Sequence, residues 1–383
     1  MSVYLDVNSS APIDERVLEF MIEIYKDGYG NADSRTHNYG DNARKIVENA
    51  RRQVAELLNV ESGEIFFTSG ATESNNIAIQ GMKAYAKKNK RNHIITTTIE
   101  HKAILETIKE MEKEGFEVDF VAPGEDGSVS AEEIIGLVRK ETLLVSVMHV
   151  NNETGIIQPV KEIGKELSET DVFFHVDATQ SAGKLVEELQ ELDYDMLSLS
   201  AHKLNGPQGV GALVLRKQNY TLPPIKGIMY GGQQEHGIRP GTIPVALVAG
   251  LGEACKIAAV EYIGNNGRCA ELKKILMNCL EESGLEYKIN GDPEKCIHNT
   301  INVVISGVSA EALMLATKEY CSISNGSACN TKSYEPSYVL KAMKVPIDEI
   351  ESSIRISWGP NIDSRKVEKQ FKKTLEVAKG LVF

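Results

Sequence analysis

The sequence predicts an α/β protein built around a mostly parallel β-sheet with helices on both faces. Short apolar runs rich in β-branched residues recur between residues 64 and 216, and helical patterns separate most of them. Polar residues follow most of these runs. Alternation of strand and helix is typical of crossover units, which set the strands parallel and cover both faces of the sheet.

The predicted strands are the runs at 64–69, 93–98, 117–122, 143–150, 172–178, 196–200 and 211–216. Helical patterns over 74–90, 101–115 and 130–140 separate several of them. The last connection, "AHKLNGPQGV", is too short to contain a crossover helix. We therefore expect the strand at 211–216 to run antiparallel to the one before it.

A Gly/Pro-rich stretch at 225–244 separates this region from the rest of the chain. It is followed by two predicted helices, near 244–262 and 268–283, interrupted by "GNNG". Strand and helix patterns then continue through "TINVVIS", "AEALMLATKEY" and "SSIRISWG" to a charged final helix. A chain of 383 residues exceeds one small core. We predict a large α/β domain over 15–255 and a small α+β domain formed by 1–14 and 256–383.

Composition restricts the partners and the compartment. The net charge of −12 argues against nucleic acid as the main partner. No apolar stretch has the length of a membrane helix, and the N-terminus lacks the organisation of a signal peptide. We expect a soluble cytoplasmic protein that binds no membrane.

None of the six cysteines forms a C-x-x-C pair, so neither a zinc ribbon nor a redox dithiol is expected. Cys255 and Cys279 lie in helical patterns and fit the core.

The polar residues that follow the strands predict a ligand site, because ligands of open α/β sheets bind at the carboxyl ends of strands. In "SGATES", Gly70 and Thr72 at a helix start suit a phosphate, although an ordinary helix cap explains them equally well. Asp177 ends an apolar run and could pair with a cofactor ring nitrogen or serve as a cap. Lys203 follows the next strand, beside Ser200 and His202.

A desolvated lysine near other cationic groups becomes a usable nucleophile toward an aldehyde. Lys203, the candidate phosphate site and the Asp177 carboxylate together indicate pyridoxal phosphate, bound to the lysine as a Schiff base. Three further residues are candidates. His101 could stack on a flat ring, move protons or be structural; Cys329, in a Gly/Ser-rich segment, is a nucleophile or an inert loop cysteine. Arg355, within an apolar strand pattern, requires a carboxylate from the protein or a substrate.

The residues resemble the cysteine desulfurases of the NifS/IscS-like branch, which are fold-type I pyridoxal-phosphate enzymes of the class V aminotransferase superfamily. The matching motifs occur in the family's order and run nearly end to end: "YLD", "FTSGATESNNIAI", "TTIEHKA", "VMHVNNETG", "HVDATQSAGK", "SAHK", "GIRPGT", "SNGSACNTKSYEPSYVL" and "SSIRIS". Nine motifs in order are far more specific than any one of them. The motif "SNGSACNTKSYEPSYVL", which contains Cys329, is similar to that of the branch with a longer cysteine loop.

The resemblance implies an enzyme that converts L-cysteine to L-alanine and passes the sulfur on as a persulfide of Cys329. Lys203 would carry the cofactor and move protons, and His101 would stack on its ring. The residues implied to bind the cofactor are Ala71, Thr72, Asn152, Asp177 (ring nitrogen), Gln180 (phenolic oxygen), Ser200, His202, Lys203 and, from a second subunit, Thr242. Asn152 and Arg355 would bind the substrate carboxylate.

The implied partners are a second copy of the chain and an iron–sulfur scaffold protein (IscU-like) or tRNA-thiolation proteins as sulfur acceptors. No resident metal is implied, although Cys329 could ligate a cluster during transfer. A selenocysteine lyase, another class V aminotransferase and a non-catalytic docking homologue are the alternatives. The chain departs from the family pattern at Ser9-Ser10-Ala11, Ala32-Asp33, Asn205, Gln208, Gln233, Pro240 and Asn325.

Overall fold

The structure, a computed structural model, describes residues 2–325 and 336–382. Its strands are β1 Val3–Tyr4, β2 Ile65–Thr68, β3 His93–Thr97, β4 Glu117–Val121, β5 Thr142–Met148, β6 Phe173–Asp177, β7 Met196–Ser200, β8 Gly211–Leu215, β9 Tyr287–Ile289, β10 Thr300–Ile305, β11 Cys321–Ser322 and β12 Ser353–Ser357. Its α-helices are α1 Glu15–Asp27, α2 Asn38–Leu58, α3 Ala71–Gln80, α4 Lys83–Asn89, α5 Lys102–Lys113, α6 Ala131–Gly136, α7 Val160–Leu167, α8 Val186–Glu191, α9 Val245–Ser283, α10 Ala310–Thr317, α11 Tyr338–Ala342, α12 Ile347–Glu351 and α13 Ser364–Lys379.

The main sheet has seven strands in the order β2-β8-β7-β6-β5-β3-β4. Strands β7, β6, β5, β3 and β4 pair in parallel, whereas β8 pairs antiparallel with both β7 and β2. The strands β5, β7 and β8 are buried along their whole length, as expected of a sheet covered on both faces. The predicted fold class and the antiparallel direction of 211–216 are confirmed.

A second sheet, in the order β12-β10-β9, is antiparallel, and the short β1 pairs in parallel with β11. Residues of β1, β10, β12 and α13 pack with the second half of α9 in one apolar cluster that includes the fully buried Trp358. The clusters around the main sheet are separate from it. The domain boundary between residues 255 and 256 stays a prediction, and α9 runs across it without a break.

The predicted interruption at "GNNG" is wrong, because α9 is one helix of 39 residues. A glycine costs about 1 kcal/mol in a helix interior, a penalty that tertiary contacts can exceed. Cys255 packs in the core beside the main sheet, and Leu276 packs in the core of the second sheet. Asn266, inside the motif, donates from Nδ2 to the backbone oxygen of Lys184 at 2.7 Å. Packing at both ends therefore outweighs the weak local propensity.

Cys255 and Cys279 lie in the cores, as predicted. Across the described residues, no helix combines the length and apolar character that a membrane crossing requires.

Candidate functional site

A cavity of about 700 Å³ lies at the carboxyl ends of the main-sheet strands. The N-terminal segment and β12 of the second sheet close it from the other side. The structure brings together at this cavity the following predicted site residues: Ala71, Thr72, His101, Asn152, Asp177, Gln180, Ser200, His202, Lys203 and Arg355. These side chains come from five strand ends and from residues up to 284 positions apart (355 − 71).

Lys203 ends a short 3₁₀ turn, Ala201–Lys203, that directly follows β7. Its Nζ donates to the backbone oxygens of Asn8 and Ser9, the latter at 2.6 Å. Gln180 donates from Nε2 to the same Asn8 oxygen at 2.9 Å. The N-terminal segment therefore holds the half-buried amine at the cavity wall.

Asp177 ends β6 and is buried. Asn75 donates to its Oδ2 at 2.8 Å, and both the backbone nitrogen and the hydroxyl of Thr179 donate to its Oδ1. A carboxylate offers about four acceptor positions, so one remains after these three donors. That position can receive the N–H of a protonated ring.

Helix α3 begins at Ala71, directly after Gly70, and no side chain of residues 2–325 or 336–382 caps its N-terminus. Gly70 has φ of 149°, a conformation that side chains rarely adopt, and its missing Cβ would lie 3.5 Å from Ser200 Oγ. A helix start with free backbone N–H groups is an anion site. Thr72, Ser200 and His202 line the same cavity, and their hydroxyl and imidazole groups suit a phosphate.

Burial sets the protonation of the two histidines. It lowers the pKa of His101, and it lowers the pKa of His202 to about 4, so both rings are neutral at pH 7. The Nδ1 of His101 accepts from the backbone nitrogen of Ala103 at 3.1 Å and caps α5. This hydrogen bond assigns the remaining proton of His101 to Nε2.

Arg355 lies in β12 and is 3% exposed. Its guanidinium donates to the Asn152 backbone oxygen at 2.9 Å, to Asp6 Oδ1 at 2.6 Å and to Ser9 Oγ at 2.7 Å. The Oδ1 of Asn152 is buried without a partner in the described residues. Arg355 and Asn152 thus form a polar corner at the side of the cavity where the N-terminal segment passes.

Two predicted site residues are not at this cavity. Thr242 is exposed and does not line it. Cys329 lies outside the described residues. The flanking residues do contact the site: Ser324 pairs with Arg355, and Tyr338 donates to the backbone oxygen of Glu100, next to His101, at 2.7 Å.

The structure adds residues that sequence reasoning missed. Asn8 receives the lysine on its backbone oxygen, and its side chain donates to Thr300 Oγ1 at 2.9 Å and to the Asn152 oxygen. Asn75 is fully buried within α3 and holds Asp177. A polar amide on the buried face of a helix requires a partner, which was the available signal for Asn75. Asn8 offered no such signal because its partners are distant in sequence.

Three of the residues that depart from the family pattern, Ser10, Asn205 and Gln208, form hydrogen bonds near Lys203. Ser10 Oγ lies 3.2 Å from Nδ1 of His202 and accepts from Gln208 Nε2 at 3.1 Å. Asn205 has φ of 61°, which asparagine tolerates better than most residues, and donates to the Pro12 oxygen at 2.8 Å. These substitutions support the turn around Lys203 instead of disrupting it.

The residues fit pyridoxal phosphate. One wall supplies an uncapped helix start for the phosphate, and another supplies a buried carboxylate with one free acceptor position. A neutral imidazole and a lysine amine complete the set. No dinucleotide or nucleotide-triphosphate loop is present in the sequence.

Comparisons with known proteins agree with this geometry. A model of the family described as aminotransferase class-V matches residues 3–369. A probable mitochondrial cysteine desulfurase of Dictyostelium discoideum is 44% identical over 357 residues, covering 93% of this chain and 78% of that protein. Cysteine desulfurase IscS of Histophilus somni is 43% identical over 372 residues, covering 96% of this chain and 90% of that protein.

Solved structures give the same result. A NifS-like protein superposes with a TM-score of 0.91 at 36% identity, covering all of both chains. DndA from Streptomyces lividans superposes with a TM-score of 0.81 at 41% identity, covering 91% of this chain and 97% of its own. The chain therefore belongs to the class-V aminotransferase family of pyridoxal-phosphate enzymes, and within that family to the cysteine desulfurases.

Proposed function

We propose that the protein converts L-cysteine to L-alanine and retains the sulfur as a persulfide on Cys329. The observation that carries this proposal is the convergence of Lys203, Asp177, His101 and Arg355 on one cavity. Pyridoxal phosphate, when bound, supplies an electron sink for negative charge at the substrate α-carbon. The protein's own residues then have to bind the cofactor, orient the substrate, move protons and take the sulfur.

The roles follow from the contacts. Asp177 would keep the ring nitrogen protonated through its free acceptor position, and Gln180 would face the phenolic oxygen. The start of α3, with Ala71, Thr72, Ser200 and His202, would hold the phosphate. Neutral His101, with its proton assigned to Nε2, would stack on the ring and exchange a proton there. Asn152 and Arg355 would orient the substrate carboxylate, and Lys203 would move the proton at the α-carbon.

The proposed transfer of sulfur to Cys329 requires no external oxidant. The Cys329 thiolate attacks the substrate sulfur, an S–S bond forms, and the substrate C–S bond breaks. The electrons of that bond remain with the carbon, which is protonated to the methyl group of alanine. Cys329 lies four positions after Asn325 in the sequence, a span of at most roughly 14 Å for an extended chain. The described segment before this span ends at the site, because the backbone of Ser324 pairs with that of Arg355.

The test is Cys329→Ser. We expect this variant to bind pyridoxal phosphate with the wild-type absorbance but to form neither alanine nor persulfide from L-cysteine, because serine cannot accept a sulfur atom. The assays are alanine release and mass measurement of the cysteine peptides. Cys296→Ser is the matched control: the buried Cys296 thiol contacts three backbone oxygens that a hydroxyl can also reach, and activity should persist. Undiminished turnover by Cys329→Ser, or persulfide on another cysteine, would refute the assignment.

We also propose that two copies of the chain act as a homodimer, with Thr242 of each completing the other's phosphate site. Exposed apolar side chains support it. Leu18, Ile22 and Tyr25 lie along one face of α1, at 42%, 43% and 60% exposure. Nearby, Tyr29 stacks on Tyr39, and Tyr230 is 96% exposed. A hydrogen bond of 2.6 Å from Gln234 to Asp33 joins the segments on which these tyrosines lie. A large exposed apolar surface marks an interface.

The proposed sulfur acceptor is an iron–sulfur scaffold protein, with tRNA-thiolation proteins as the second class. The relatives named IscS and the long cysteine-containing motif support the first. Cys329 could ligate a cluster in transit, and the cytoplasm is the proposed compartment.

A further inference from the structure

Ser9 lies between the two charged groups that face the substrate. The residue is half-buried and lines the cavity. Its backbone oxygen accepts from Lys203 Nζ at 2.6 Å, and its Oγ accepts from Arg355 Nη2 at 2.7 Å. Ser9 therefore contacts both the Lys203 amine, which is proposed to act at the substrate α-carbon, and the Arg355 guanidinium, which is proposed to bind the substrate carboxylate.

The donors of Arg355 are mostly in use. A guanidinium has five N–H donors. Both hydrogens of Nη2 are taken, by Asp6 Oδ1 at 2.6 Å and by Ser9 Oγ, and one hydrogen of Nη1 is taken by the Asn152 oxygen. The Nε is buried and has no partner in the described part of the chain, so an incoming ligand does not reach it. With the described residues in place, a substrate carboxylate thus finds one Nη1 hydrogen, not the pair of donors that bidentate binding requires.

The Ser9 hydroxyl can supply the second donor. Its oxygen accepts from Arg355, which leaves its own hydrogen to be donated elsewhere. Asp6 pairs with Arg355 at 2.6 Å, so the guanidinium attracts a substrate carboxylate less than an arginine without a carboxylate partner would. We propose that Ser9 is a substrate-binding residue whose hydroxyl donates to the substrate carboxylate alongside Nη1 of Arg355. This inference rests on the proposed function, since it concerns the same substrate in the same site.

The experiment compares two ligands of the pyridoxal-phosphate-loaded protein that differ only at the carboxylate. L-Alanine has the charged carboxylate, and L-alaninamide replaces it with a neutral amide. Binding is measured by titrating the cofactor absorbance and, separately, by the ligand-induced rise in Tm. Neither readout depends on turnover.

We expect Ser9→Ala to raise the Kd of L-alanine about tenfold, the usual effect of losing a hydrogen bond to a charged group. The Kd of L-alaninamide should rise by only about two- to threefold, because a bond to a neutral acceptor is weaker. Ser9→Thr retains the hydroxyl and should restore L-alanine binding. Ser10→Ala is the matched control: its Oγ contacts His202 and Gln208, not Arg355, so the ratio of the two Kd values should stay at the wild-type value.

Several outcomes would overturn the inference. Tighter or unchanged binding of L-alanine by Ser9→Ala would show that the hydroxyl merely occupies a donor of Arg355. Equal weakening of both ligands would show a general effect on the cavity. If the loaded wild-type protein bound neither ligand, the proposed function would fail, and the role of Ser9 with it.

Discussion

Glu100, which precedes His101, is a fully buried carboxyl group. Its Oε1 accepts from Thr97 Oγ1 at 2.7 Å and from the Met148 backbone nitrogen at 2.9 Å, whereas its Oε2 is buried with no partner in the described residues. Burial, with a smaller contribution from Asp177, raises the pKa of Glu100 to about 8. The carboxyl is therefore mostly protonated at neutral pH, one residue before His101.

This shift predicts a pH-dependent stability. The pKa of the unfolded chain is near 4.5. Above that pH the unfolded state releases a proton that the folded state keeps, so the contribution of Glu100 is complete below pH 4.5 and is lost as the pH rises toward about 8. Glu100→Gln cannot titrate. Relative to wild type, its free energy of unfolding should rise through this window, by at most about 1.4 kcal/mol per pH unit.

Urea unfolding at several pH values between about 5 and 8 measures the effect. Glu106→Gln is the control, since Glu106 is exposed on α5. Parallel stability curves for wild type and Glu100→Gln would contradict the raised pKa of Glu100.

At the scale of elements, the sequence was informative where the signal is local. The apolar runs ending at Asp177 and Ser200 predicted β6 and β7, and the short connection after Lys203 predicted the antiparallel β8. The predicted break in α9 was wrong, because packing against residues distant in sequence outweighs the low helix propensity of Gly264 and Gly267. The contacts of Asn8 and Ser9 with Lys203 join residues about 195 positions apart, which no local pattern encodes.

The continuity of α9 predicts that Gly264→Ala and Gly267→Ala stabilise the protein. A Cβ at Gly267 meets nothing within 4 Å, and one at Gly264 meets only Arg268 at 3.7 Å. Alanine should raise the free energy of unfolding by up to about 1 kcal/mol at each position. Thermal and urea unfolding measure the change.

The control lies in the same helix. A Cβ at Gly252 would lie 2.6 Å from the Cα of Ala50 and 2.5 Å from Oε1 of Gln53, so Gly252→Ala should destabilise. Loss of stability in Gly264→Ala and Gly267→Ala as well would indicate that α9 is interrupted after all.

At the scale of the whole molecule, the site exists only because distant parts of the chain meet. The N-terminal segment connects to β12 through the Arg355–Asp6 pair and to β10 through Asn8 and Thr300, and it holds Lys203 of the main sheet. The strand ends supply the groups proposed to bind the cofactor, and the second sheet supplies the arginine proposed to bind the substrate carboxylate. Sequence motifs identified Lys203 and Arg355 individually, whereas the fold shows how the two sheets bring them to one cavity.

The account depends on Lys203 being the residue that carries pyridoxal phosphate. Lys184 is the strongest competitor, because burial lowers its pKa to about 8 and its Nζ contacts Gln180. Borohydride reduction of the loaded protein makes the lysine–cofactor bond permanent, and peptide mass measurement then locates it. We predict a phosphopyridoxyl group on the peptide that contains Lys203. The same group on the Lys184 peptide, or cofactor that leaves the reduced protein unmodified, would contradict the account.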